Sequence, residues 1–121
     1  MDTSSSFENL IMWQKMHKIV LDIYKMTNSF PKSELFGITG QIRRSAVSVA
    51  ANIVEGFSKK GKADKLRFFN IAEGSLEETN YFLLLIKDLG YSETDDMRQK
   101  VKEVGRMLKG YIGAIKKSLD A

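Results

Sequence analysis

The sequence contains no cysteine, a single proline and a single histidine in 121 residues. Without cysteine, disulfides, thiolate nucleophiles and sulfur-ligated metals are excluded, and a reducing compartment fits. One proline, Pro31, leaves the remainder free to form long helices, because no other position lacks a backbone donor. The lone His17 removes the Glu-x-x-His pairs of di-iron helical bundles. No arginine precedes it, which also removes an arginine–histidine ribonuclease motif. Glu73, Glu77 and Glu78 crowd one segment without a metal-ligand partner or a base beside them. No apolar run approaches the roughly 20 residues that span a bilayer. The opening "MDTSSSFENL" has neither a basic region nor an apolar core, so no secretory signal is expected. These absences lead to the expectation of a cytoplasmic, non-enzymatic protein with no metal, no cofactor and no membrane role.

What is present is helical periodicity over almost the whole chain, which predicts one all-α domain spanning residues 1–121. A first helix is expected over about 7–27, with Ser5 and Glu8 as a capping box and Met12, Met16, Ile19, Ile23 and Met26 facing inward. The second is expected over about 34–55, capped by Ser33 and closed by Gly56 as its C′ residue. Its inward seam is Leu35, Ile38, Ile42, Ala46, Val49 and Ile53. The third, about 63–89, carries Leu66, Phe69, Ala72, Leu76, Thr79, Leu83 and Ile86 and ends at Gly90. The fourth, about 94–119, repeats Met97, Val101, Val104, Leu108, Ile112, Ile115 and Leu119. Four long helices with short connections give an antiparallel, up-down-up-down four-helix bundle.

Two segments depart from a simple amphipathic pattern. "YFLLLI", residues 81 to 86, is apolar all round a helix, and one core covers only one stripe of it. Self-association is the expectation, since large apolar patches are uncommon on soluble monomers. In "QIRRSAVSVAANIVEG", residues 41 to 56, Gln41, Ser45, Ser48, Asn52 and Glu55 repeat at 4-3-4-3 spacing beside Ala46, Ala50 and Ala51. Small side chains let a neighbouring helix approach, and the polar atoms then need partners across the gap. Arg43 and Arg44 point about 100° apart, so one is expected to meet a carboxylate such as Glu55, Glu73 or Glu78.

The net charge of +4 is unevenly placed. "SKKGKADKLR" holds Lys59, Lys60, Lys62, Lys65 and Arg67 against Asp64 alone. From Arg98 to Leu119 there are seven Lys or Arg, Arg106 and Lys109 among them, and one acid, Glu103. Such clusters attract polyanions. "GFSKKGKA" echoes a nucleotide-binding loop, but Ala63 stands where the magnesium-holding hydroxyl belongs and a helix precedes it where a strand is required.

"LIMWQK", "FPKSELFGITGQIRRSAVSVAANIVEG" and "RFFNIAEGSLEETNYFLLLIKDLGY" together resemble the bacterial 23S ribosomal RNA intervening-sequence proteins. The matching positions are Arg43, Arg44, Asn52, Glu55, Gly56, Gly74, Ser75 and Glu78, most of which read as structural. Position 50, proline in many relatives, is Ala50 here. The resemblance implies a four-helix bundle assembled as a homopentamer. It also implies kinship with the accessory variability protein of diversity-generating retroelements, whose basic pentamers bind nucleic acid and associate with a reverse transcriptase. The functional expectation is therefore a non-enzymatic homo-oligomer that binds RNA or DNA. Its candidate contacts are Lys59, Lys60, Lys62, Lys65, Arg67, Arg43, Arg44, Arg106 and Lys109. A protein-interaction scaffold is the alternative.

Overall fold

The computed structural model describes residues 6–120, with side chains through Ser118. A 3-10 turn at Phe7–Asn9 comes first, and the Ser6 hydroxyl accepts from the Glu8 amide at 3.2 Å to cap it. Ser5, expected as the cap, lies outside the described residues. Leu10 is extended, so α1 (Ile11–Thr27) begins later than the apolar rhythm suggests.

The second helix also starts late. A 3-10 turn (Lys32–Glu34) and a π-turn (Leu35–Thr39) precede α2 (Gly40–Ser58). Gly37, at φ −97° and ψ −123°, interrupts the helical backbone. The Glu34 carboxylate, not Ser33, then supplies the missing acceptor, taking the Ile38 amide at 3.4 Å. Leu35, expected on the inward seam, is consequently half exposed. At the other end, Gly56 does not close the helix. It is buried inside α2, where a Cβ would lie 2.6 Å from Cε1 of Phe69 on α3. Its missing side chain makes room for the Phe69 ring.

Among the described residues, α3 (Lys62–Asp88) and α4 (Asp95–Asp120) complete a set of four long helices. α3 ends as expected at Gly90, whose φ of +78° suits a residue without a Cβ. The Gly90 amide donates to Lys87 O at 2.9 Å and the Tyr91 amide to Ile86 O at 3.1 Å, satisfying the last carbonyls in a Schellman arrangement. Thr94 is buried just ahead of α4, where its hydroxyl donates to Leu83 O at 2.7 Å and ties the turn to α3. Asp95 and Asp96 occupy the first turn of α4, where the helix dipole favours anions.

Each helix packs on two neighbours, α2 against α1 and α3, and α4 against α3 and α1. The core is built from Met16, Ile19, Ile23, Ile42, Val49, Ile53, Phe69, Leu83, Ile86, Val104 and Leu108, all fully buried. The α2–α3 seam holds the small polar residues. Ser45 and Thr79 share a buried hydrogen bond of 2.9 Å, and Ser48 and Ser75 a half-buried one of 2.8 Å. Rising numbers on α2 meet falling numbers on α3, so the two run in opposite directions. Each hydroxyl in the buried pair also reaches a carbonyl of its own helix, Ser45 to Ile42 O at 3.2 Å and Thr79 to Ser75 O at 2.8 Å. With one proton apiece, one of them donates across the seam and the other to its carbonyl. Asn52 extends the strip by donating to Ser48 O at 2.8 Å. Gln41 and Glu55, at the strip's ends, are exposed.

The other end of the bundle is tied by Tyr91, whose phenol donates to Glu34 Oε2 at 2.8 Å while its ring meets Phe30 at 5.3 Å. Glu34 thus joins the α1–α2 connection to the α3–α4 connection. That hydrogen bond, followed by burial and the carboxylate's charge, raises the Tyr91 pKa above its ordinary value.

Candidate nucleic-acid interface

The cations singled out by charge density divide into those held by the fold and those left free. Arg43 is held. Its Nε donates to Thr27 Oγ1 at 2.9 Å, its Nη2 to Tyr24 O at 3.4 Å, and its guanidinium stacks 4.6 Å above the Tyr24 ring. It therefore sits on the last turn of α1, where the helix dipole favours a cation. Arg44, about 100° further round the helix, reaches Gln41 at 3.0 Å and Glu78 at 3.3 Å. Glu78 is one of the carboxylates anticipated for this pairing.

The α2–α3 turn is less open than its lysine content suggests. Lys65 donates to the carbonyls of Gly56 at 3.1 Å and Phe57 at 2.8 Å, which are otherwise orphaned at the end of α2. Partial burial lowers the Lys65 pKa from its ordinary value. Lys62 reaches Ser118 O at 3.3 Å and so ties the start of α3 to the end of α4. Lys59 meets Glu55 at 3.4 Å and Arg67 meets Asp64 at 3.9 Å, both in exposed pairs. Lys60 is exposed and has no ion pair among the described residues.

Arg106 and Lys109 are in a different situation. Together with Lys102, they line a groove between α3 and α4 whose walls include Glu77 and Asn80 and whose floor includes Leu76, Val101 and Gly105. None of the three cations has an ion pair or hydrogen bond among the described residues. Residues 102, 106 and 109 recur at spacings of four and three, which places them on one face of α4. Arg98, one turn earlier, is held by Asn80 Oδ1 at 3.0 Å. Lys102 was not among the residues singled out from charge density, although its four-residue spacing from Arg106 is visible in the sequence.

Phe68 was also missed. It is half-buried at the start of α3, with Lys59 Nζ 5.0 Å and the Arg67 guanidinium 4.7 Å from its ring centroid. The signal was an aromatic set inside a basic run, obscured because the neighbouring Phe69 is a core residue.

Apolar side chains remain outside the core. Phe36 projects from the π-turn at 92% exposure, and Tyr81, the first residue of the apolar run, is 57% exposed. Val47 on α2 and Ile71 on α3 are exposed as well. The other members of the run are divided: Leu83 and Ile86 are buried, and Phe82, Leu84 and Leu85 are half-buried. Gly74, exposed on α3, has open space where a side chain would stand.

Among the described residues there is no group of His, Cys, Asp or Glu arranged to hold a metal ion, and no helix long and apolar enough to cross a membrane. The model of the 23S rRNA-intervening sequence protein family matches residues 8–110. The fold is similar to a crystal structure from Bacteroides thetaiotaomicron, a protein of unknown function from the S23 ribosomal protein family. The two are 26% identical with a TM-score of 0.75, over 84% of this chain and 98% of the other. No functionally curated protein matches the sequence.

Proposed function

This chain belongs to the 23S rRNA-intervening sequence protein family, and from that premise we propose that it is a non-catalytic homo-oligomer, pentameric as the resemblance implies, that captures RNA or DNA on its cationic exterior. The observation that carries the binding half is the row of free cations on α4. Lys102, Arg106 and Lys109 share one groove and have no ion pair or hydrogen bond among the described residues to give up when a phosphate arrives. Lys60 and the loosely paired Lys59 and Arg67 add a second basic patch at the α2–α3 turn. Phosphate contacts of this kind give affinity without sequence preference, and each neutralised phosphate releases condensed counterions.

The exposed apolar residues support the assembly half. A phenylalanine at 92% exposure beside a half-exposed Leu35 leaves a patch that another protein surface would cover. Five copies of a +4 protomer carry about +20, and several weak phosphate sites on one particle act together. The same apolar patch suits the second reading, a scaffold for another protein such as a reverse transcriptase; there, partners recovered from cells remain bound after nuclease treatment.

The binding reading is tested by fluorescence anisotropy with labelled RNA and DNA at rising potassium chloride. Affinity is expected to fall steeply with salt. Charge reversal of Lys102, Arg106 and Lys109 together is expected to reduce the slope of log K against log salt by about 2 to 3. Binding that ignores both salt and this triple substitution contradicts the proposal.

A further inference from the structure

The α2–α3 turn differs from the α4 groove in having an aromatic ring among its cations. Lys59, from the end of α2, and Arg67, from the first turns of α3, both lie within 5.0 Å of the Phe68 centroid. Lys60, next to Lys59 in sequence, is exposed with no ion pair among the described residues, and Gly61 leaves open space at the crown of the turn. We infer that this turn is a binding site for single-stranded nucleic acid, in which the Phe68 face stacks one base while Lys59, Lys60 and Arg67 hold the flanking phosphates. The inference rests on the nucleic-acid reading above and assigns it a strand class.

The exchange that binding requires is a small one. In the free protein, Lys59 and Arg67 are occupied by exposed carboxylates at 3.4 Å and 3.9 Å and by the ring itself. Exposed ion pairs and exposed cation–ring contacts are both weak, because water competes for each charge. A phosphate is a stronger partner for either cation, and swinging toward it uncovers ring surface. A base then replaces the cation over the same π face. Stacking on an aromatic side chain tolerates any base, since every base has such a face. A duplex keeps its base faces inside the stack, so its interior cannot use Phe68. The α4 groove has no aromatic lining and is blind to this difference.

The fold holds the ring in place for this role. The adjacent Phe69 is fully buried against Gly56 and Tyr111, which fixes the first turns of α3. Lys65 ties the same turn to the end of α2 through the carbonyls of Gly56 and Phe57. Phe68 is thus presented on a rigid corner, with short ordering required on binding.

The experiment compares three probes on the full chain at low salt: a labelled oligothymidylate, an abasic strand of equal length, and a duplex. The oligothymidylate is expected to bind roughly tenfold tighter than the abasic strand, the scale of one stacked base. Phe68→Leu is expected to erase that difference, and Phe68→Trp to keep it, with melting curves verifying that both variants fold. Equal affinity for base-bearing and abasic strands overturns this inference alone, as does a difference that survives Phe68→Leu. Failure of all three probes to bind overturns the nucleic-acid reading itself.

Discussion

The Phe69 ring occupies the space in which a side chain at position 56 would lie, with Cε1 only 2.6 Å from the place of a Cβ on Gly56. α3 therefore packs directly on α2 backbone at this point. Gly56→Ala gains about 1 kcal/mol of helix propensity. It must also displace a buried ring, and overpacking a core of this kind typically costs about 1–3 kcal/mol. The variant is expected to be less stable on balance, as read by urea denaturation. Gly74→Ala is the control, because open space surrounds that position; it is expected to stabilise the protomer by about 0.5–1 kcal/mol.

The buried Ser45–Thr79 pair makes a second prediction. A backbone carbonyl lies within reach of each hydroxyl, so neither is orphaned when the other is removed. Ser45→Ala or Thr79→Val alone is expected to cost about 0.5–1.5 kcal/mol, and the double variant less than the sum. A double-mutant cycle by chemical denaturation measures the coupling; strict additivity contradicts the account of the seam.

How much of this was legible beforehand differs from element to element. The α3 seam reads directly from Phe69, Ala72, Leu76, Thr79, Leu83 and Ile86, because burial follows helical spacing over several turns. The start of α2 does not. Ser33 followed by Glu34 looks like a cap, but the Glu34 side chain accepts from Ile38 and delays the helix to Gly40. Gly56 was misread for a related reason: a glycine that ends a helix and one that admits a neighbouring ring look alike in one dimension. Cation density had the same weakness. It could not separate Arg43 and Lys65, held by carbonyls, from Lys102, Arg106 and Lys109, without ion pair or hydrogen bond among the described residues, since that distinction depends on contacts between distant helix ends.

The charge pair at the α3–α4 connection sets a pH dependence. Lys87 Nζ lies 2.9 Å from both Asp95 carboxylate oxygens. That hydrogen bond lowers the Asp95 pKa from its ordinary value and raises that of Lys87. A depressed carboxylate contributes stability that is present above its unfolded pKa and is lost as pH falls through the folded one. A raised ammonium contributes stability that is present below its unfolded pKa and is lost as pH rises through the folded one. Asp95→Asn is therefore expected to lower thermal stability at neutral pH and to flatten its decline on acidification. Melting temperatures across an acid series check this, and identical profiles for both proteins contradict it.

Tyr91 adds a loss on the alkaline side by the same rule. Its phenol must stay protonated to donate to Glu34, and its pKa is raised. Tyr91→Phe is expected to keep the ring contact with Phe30 while reducing the stability lost at alkaline pH. The check is a melting series carried above the ordinary tyrosine pKa.

Phe36 bears on assembly separately from folding. Since it is almost fully exposed, Phe36→Ser removes little protomer packing and is expected to leave the stability of an isolated protomer within about 0.5 kcal/mol of the parent. The same change is expected to weaken self-association, shifting the light-scattering mass toward that of one chain. An unaltered oligomer mass excludes Phe36 from the contact.

Sedimentation velocity with a fluorescently labelled RNA is the most direct measurement of the whole proposal, because mass and capture are read in one boundary. At low salt the label is expected to sediment with a particle of several chains, and added potassium chloride is expected to release it as the free strand. A label that stays at its free rate beside single protomers would contradict the account, as would one whose capture is indifferent to salt.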